Sequence, residues 1–292
     1  MPTLRKLTAA LALCAALAPA IQAAEPVKVL ASLPITYGLG QLLLKDSGVQ
    51  LQRAAAANLP GSRQNAYFTG RGAQALAGLA GSADAVIGLR SLWPDDSLYP
   101  LARRSNIRIV EIDAARPVDG VLPGIAVQPG VGGLNSQPWL SSNNMGRMAD
   151  VMAADLVRLA PTAKPRIDAN LAALKQQLLK LSADSEARLA KADNVSVVSL
   201  SDRFAYLAAG LNLDTVATQV LNDEQWDTAQ LESLSMTLKD NDVALVIDHR
   251  QPPEAVKAVI TAAGSKLLVL AEERDDPIAD LQAHMSAVIQ AL

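Results

Sequence analysis

The strongest constraint on this chain is an alternation interrupted once. Short apolar runs rich in β-branched residues take turns with helical patterns, which is the signature of βαβ units and parallel sheets. Strands are predicted at 27–33, 49–54, 85–89 and 107–112, then at 195–200, 214–217, 243–248 and 266–270. Helical stretches follow most of them, at 35–45, 71–80, 253–263 and 277–292. Between the two sets runs the clearest helix in the chain. Ile167, Leu171, Leu174, Leu178 and Leu181 recur at steps of four and three, which puts them on one face of a helix from Pro165 to about Lys191. At 1.5 Å per residue that helix is about 40 Å long. The length suits a connector between two lobes, one long surface helix, or a coiled-coil segment.

The N-terminus reads as a secretory signal. Arg5 and Lys6 begin it, an apolar stretch from Leu7 to Ala18 follows, and Ile21-Gln22-Ala23 offers a small-residue cleavage site. The apolar stretch is too short to span a bilayer. The only cysteine, Cys14, lies inside this segment behind Leu13, where a lipoprotein signal would want a small residue. Cleavage after Ala23 leaves a mature chain without cysteine, which offers no disulfide and no thiolate to a metal. That chain carries 24 basic against 29 acidic residues, a formal charge of −5, and no long basic stretch. Nucleic acid is therefore excluded as a partner class.

Three short loops stand apart. They are Pro60-Gly61-Ser62-Arg63-Gln64-Asn65-Ala66-Tyr67, Ser136-Gln137-Pro138-Trp139-Leu140 and Ser201-Asp202-Arg203-Phe204-Ala205-Tyr206. Their order and spacing resemble the periplasmic solute-binding proteins of zinc and manganese ABC importers, whose loops read roughly PGxxPHxYxP, PHxW[LM] and [HE]xxxxYF. The resemblance covers nearly the whole mature chain. It implies an α/β fold of two parallel-sheet α/β lobes joined by one long connecting helix, with small lobe movements. The expected division is a cleaved signal at 1–23, a first lobe at 24–164, the helix at 165–192 and a second lobe at 193–292. It also implies a periplasmic protein that is not an enzyme and that works with an ABC transporter permease.

The residues at the ligand positions depart from the pattern. The family's two histidines and third ligand fall on Asn65, Gln137 and Ser201. Zinc needs thiolate, imidazole or carboxylate ligands, and manganese still wants carboxylates. The histidine-rich loop that many zinc members carry is also missing, since no histidine occurs from Asp113 to Gln137. Of the two histidines in the chain, His284 falls in the terminal helix, where a surface or partly packed residue is expected. His249 follows a predicted strand at its carboxyl end, the edge where open parallel sheets bind ligands. The family's fourth ligand, an aspartate, falls near Glu272 or Glu273.

Arg63, Arg71, Arg203 and Arg250 lie in or beside the loops and that strand end. Guanidinium groups repel a bare cation and grip carboxylates bidentately. Of nine aromatic residues, Tyr67, Phe68, Trp139, Phe204 and Tyr206 lie within five residues of the three ligand positions. Aromatic and arginine faces together suit a flat anionic ligand. The glycine-rich stretch from Gln128 to Gln137 offers a flexible flap.

Three readings follow. In the first, the ligand is a metal chelate or the chelator itself, a siderophore or other metallophore that brings its own metal ligands. Proteins resembling this family occur in the machinery that handles ferric pyoverdine. Arg63, Asn65, Tyr67, Gln137, Trp139, Ser201, Asp202, Arg203, Asp248, His249 and Arg250 would then bind the ligand, with no resident cofactor. In the second, Asp202, Asp248, His249 and Glu272 hold free manganese or iron(II). In the third, the protein has no ligand and assists a second periplasmic binding protein or the permease. A hydrolase triad of Ser201, Asp202 and His249 is disfavoured, because Ser201 lacks the G-x-S-x-G turn.

Overall fold

The computed structural model describes residues 25–116, 124–130, 133–135, 137–270 and 276–292. The predicted signal at 1–23 lies outside them, as do Ser136, Glu272 and Glu273.

The first half builds one four-stranded parallel sheet. Its strands are β1 (Lys28–Ala31), β2 (Gln50–Arg53), β3 (Ala85–Gly88) and β4 (Val110–Asp113), in the order β2-β1-β3-β4. The helices α1 (Pro34–Leu44), α2 (Gly61–Thr69), α3 (Ala73–Gly81) and α4 (Leu98–Ser105) connect them. A two-residue antiparallel ladder, β5 (Pro129–Gly130) with β6 (Gly133–Leu134), precedes helix α5 (Ser142–Leu159). The predicted long helix is α6 (Lys164–Leu189). The second half repeats the architecture, with β7 (Ser196–Ser199), β8 (Asp214–Thr218), β9 (Leu245–Asp248) and β10 (Lys266–Val269) in the order β10-β9-β7-β8. Its helices are α7 (Ala205–Gly210), α8 (Thr228–Asp240), α9 (Glu254–Ala262) and α10 (Pro277–Ala291). Among the described residues no helix is long and apolar enough to cross a membrane.

Both sheets are buried on two faces, as parallel sheets are. Alternate residues point to opposite sides, and the core records it. Val29, Ala31, Ala85 and Ile87 of the first sheet share one apolar cluster with Val197, Leu245 and Ile247 of the second. Leu30 and Val86 face a separate cluster with Phe68, Leu76 and Leu98, while Val198 and Val246 face another with Leu234, Val256 and Ile260. The shared cluster also takes Met148 and Met152 from α5, Ile167, Leu174 and Leu178 from α6, and Leu281 and Val288 from α10. Helix α6 packs on α1 and α5 from the first half and on α10 from the second. One close-packed core therefore runs between the sheets, and such cores resist deformation. This is the physical reason to expect small lobe movements rather than wide hinge closure.

Candidate functional site

The three loops and the His249 strand end all emerge at the carboxyl ends of strands or just before α5, the edge at which open α/β sheets place ligands. In the first lobe the chain leaves β2 and enters α2 through Pro60 and Gly61. A Cβ on Gly61 would come within 2.6 Å of the Trp93 indole, so only glycine lets the chain turn beneath that ring. Helix α2 then points Gln64 inward. Its Nε2 donates to the carbonyl of Ser32 at the end of β1 at 3.2 Å, and Gln64 is buried. Asn65 and Arg63 face outward and are exposed. Tyr67 packs edge-on against Phe68, and the Arg71 guanidinium lies 5.6 Å from the Tyr67 ring centre. Arg71 is thus drawn into a cation–π contact on the surface of α2. At the end of β2, Arg53 lies over the Tyr37 ring at 4.6 Å, a cation at this edge that the motifs did not single out.

Of the glycine-rich stretch expected to act as a flap, residues 131, 132 and 136 lie outside the described residues, and the described ones are held by hydrogen bonds. The Asn144 side chain both donates to the Ala126 carbonyl and accepts from the Ala126 N–H, each at 2.9 Å. The Gln128 N–H donates to the Tyr206 hydroxyl at 2.9 Å, and that hydroxyl donates to the Asn135 carbonyl at 3.4 Å. The Asn135 Oδ1 accepts from the Gln137 N–H at 2.9 Å, and its Nδ2 donates to the carbonyl of Asp202. The glycine-rich stretch is therefore fastened at Ala126, Gln128 and Asn135 by buried side chains. Gln137 itself is half-buried. Trp139 is 8 % exposed and belongs to the shared core, so its first task is packing.

The third loop caps β7. Ser201 is buried, and its Oγ accepts from the Arg203 N–H at 3.3 Å, so it serves as the cap of a short helical turn at Asp202–Phe204. Ser199 Oγ donates to the Ser201 carbonyl at 2.5 Å. Beneath this turn Phe204 meets His284 edge-on at 6.4 Å. His284 is buried in α10 beside Asp280, more enclosed than the surface or partly packed residue expected there.

Next to it, β9 ends in Asp248-His249-Arg250. Asp248 is buried, and its Oδ1 accepts from the His249 N–H at 2.6 Å. His249 Nδ1 lies 3.0 Å from the same oxygen without hydrogen-bond alignment. Burial raises the Asp248 pKa, against the pull of the His249 and Arg250 backbone amides and of the charges of those two residues. The His249 pKa is lowered, first by burial, then by the charges of Arg203 and Arg250, with Asp248 acting in the opposite direction. Arg250 is anchored: its Nη2 donates to the Leu221 carbonyl at 3.1 Å and pairs with Asp223 at 3.0 Å. Arg203 is exposed and has no ion pair among the described residues.

Second-lobe residues Asp202, Arg203, Asp248, His249 and Arg250 thus lie on one strand edge, and Gln137 is tied to them through Asn135. Among the described residues no hydrogen bond, ion pair or ring contact joins Asn65, Arg63 or Tyr67 to that group. There too, no cluster of three or more His, Cys, Asp and Glu could hold a metal ion. The sequence reasoning missed Asn135 and Gln64. The signal for both was proximity: each lies within two residues of a ligand position.

Residues 60–292 match the family described as ZnuA, the periplasmic zinc-uptake complex component A. No curated protein matches the sequence. Among solved structures, the chain is similar to a mutant of FpvC from Pseudomonas aeruginosa, with TM-score 0.72 and 20 % identity over 91 % of this chain and 98 % of that one. A crystal structure of ZnuA aligns with TM-score 0.67 and 20 % identity, covering 91 % and 99 %. A periplasmic metal-binding protein from Candidatus liberibacter asiaticus aligns with TM-score 0.69 and 15 % identity, covering 91 % and 99 %. At these identities the structures attest the two-lobe fold.

Proposed function

Because the chain belongs to the zinc-uptake component A family of periplasmic solute-binding proteins, we propose that it feeds a metal-type ABC importer with metal carried as an anionic chelate. One observation carries this reading. The guanidinium groups of Arg203 and Arg250 lie near enough to His249 that, after burial itself, their positive charges lower its pKa, against the opposing pull of Asp248. A field of that sign repels a bare divalent cation and attracts the carboxylates or phenolates of a metallophore. Asn65, Gln137 and Ser201 can donate or accept hydrogen bonds to such a ligand, while a chelate needs no imidazole from the protein. Arg203 is an exposed guanidinium at this edge with no ion pair among the described residues, and we assign it the main anion contact.

A second reading keeps a free cation, because FpvC structures with Ni2+ and with Mn2+ share this fold. Asp202, Asp248 and His249 do not form a three-ligand metal cluster by themselves, so this reading also needs Glu272, which lies outside the described residues. Native mass spectrometry of the mature protein isolated from the periplasm of metal-starved cells separates the two. An organic adduct, with or without metal, is the expected result. An adduct of one metal ion alone would overturn the chelate reading. Bare protein that also ignores ferric pyoverdine, Mn2+ and Zn2+ in titration would sink both and favour an accessory role.

A further inference from the structure

The second and third ligand loops come from different lobes, yet they are bonded to each other through residues outside the ligand positions. Asn135 is 3 % exposed and Tyr206 is 2 % exposed. Asn135 uses every polar group it has. Its N–H donates to Gln128 across the small ladder at 2.9 Å, its carbonyl accepts from Tyr206, its Oδ1 accepts from Gln137, and its Nδ2 donates to Asp202. The Tyr206 hydroxyl sits in the middle, accepting from Gln128 and donating to Asn135. The result is a closed circuit: Gln128, Tyr206, Asn135 and back to Gln128, with one arm to Gln137 and another to Asp202. All five of these bonds end on at least one backbone atom, so the circuit sets where the chain runs.

We propose that Asn135 and Tyr206 form one interlobe latch that positions Gln137 and Asp202 for the ligand while touching no ligand themselves. The affinity part of this rests on the solute-binding reading above; the latch itself does not. Buried polar groups in a complete network specify one arrangement, and the loss of one member leaves the others without partners in a dry site. Asn135 alone offers a donor toward Asp202 and an acceptor toward Gln137 on one short side chain. Tyr206→Phe keeps the ring in the core and removes only the hydroxyl.

Hydrogen exchange on the full mature chain without ligand tests the latch. Tyr206→Phe and Asn135→Ala should each speed exchange of both the Gln128 and Gln137 amides, by about tenfold, the size expected for one lost hydrogen bond. The informative case is Gln137 in Tyr206→Phe, because Tyr206 does not touch that amide. Unchanged Gln137 exchange there would overturn the latch. The core amides of Val86 and Val246 should stay protected in both variants, which separates a local latch from general loss of stability. Should Asn135→Ala fail to fold, Tyr206→Phe decides alone. Binding then tests the consequence, with Mn2+ and ferric pyoverdine as probes. Whichever probe the wild type holds should leave both variants about tenfold faster, with little change in association. Equal release rates would remove the positioning role. Wild type that holds neither probe defeats the ligand reading, while the exchange result still decides the latch.

Discussion

The edges of the two lobes are built on opposite plans. In the first lobe the polar residue that turns inward, Gln64, is spent on the chain itself, bonding the Ser32 carbonyl, while Asn65 and Arg63 stand exposed on the open face of α2. In the second lobe the polar residues crowd inward. Ser201, Asp248 and part of His249 are buried among amides, and Arg203 and Arg250 surround them with positive charge. An interaction in a dry, charged setting is worth more than the same interaction in water. On the proposed reading, the comparison assigns selectivity to the second lobe and leaves the first lobe mainly to cover the ligand.

The largest break in that asymmetry should come from charge reversal. Arg203→Glu places a carboxylate where an anionic chelate is to bind, and like-charge juxtaposition costs several kcal/mol. Affinity for ferric pyoverdine, read by titration calorimetry, should fall on the order of 100-fold or more. Arg63→Glu, on the exposed face of α2, should change it by less than about threefold, as rim charges do. Equal losses at both sites would erase the difference between the lobes and put the ligand midway between them.

A stability test sharpens the same contrast within the first lobe. Gln64→Ala leaves the buried Ser32 carbonyl without this donor and should cost about 1–3 kcal/mol of unfolding free energy. Asn65→Ala removes an exposed side chain and should stay within about 0.5 kcal/mol. Denaturant titrations of the two variants side by side check this. A larger loss at Asn65 than at Gln64 would mean that α2 turns its other face to the protein.

How far the sequence disclosed these features depends on the kind of interaction. The strands were legible because residues buried on both faces are apolar through most of the run, as in Ala85–Gly88 and in 245–247 ahead of Asp248. The long helix was legible because Ile167, Leu174 and Leu178 repeat with its period and all reach the core. The three loops were legible as motifs. The direction of their side chains was not, because one step along α2 separates the buried Gln64 from the exposed Asn65, and a spacing rule does not resolve one step. The fastening of the glycine-rich stretch was equally hidden. Gly130, Gly132 and Gly133 signal freedom locally, whereas Tyr206, which restrains Gln128, is 78 positions away. Arg250 shows the same limit. Its ion-pair partner is Asp223 beyond β8, rather than the sequence neighbour Asp248.

The smallest effect concerns protons, and it tests whether the second-lobe edge is as dry and positive as the comparison requires. The folded His249 pKa lies below its ordinary value of 6.5. Between the lowered value and 6.5 the unfolded chain binds a proton that the folded chain refuses. The His249 contribution is therefore complete above pH 6.5 and is lost as pH falls through the lowered value. Asp248 works with the other sign. Its folded pKa is raised above 3.8, so the folded chain holds the proton more strongly and loses that advantage as pH rises. Replacing His249 by glutamine removes the first dependence and, by taking away a charge that pulls the Asp248 pKa down, leaves Asp248 raised by burial. The decline of Tm between pH 6.5 and pH 5 should become shallower in His249→Gln than in the wild type. In Arg203→Ala the histidine loses a repelling charge, its pKa moves back toward 6.5, and the decline should again be shallower. A decline unchanged in both variants would mean that water reaches His249 freely, and the contrast between the exposed face of α2 and a dry, charged second edge would fail at its central residue.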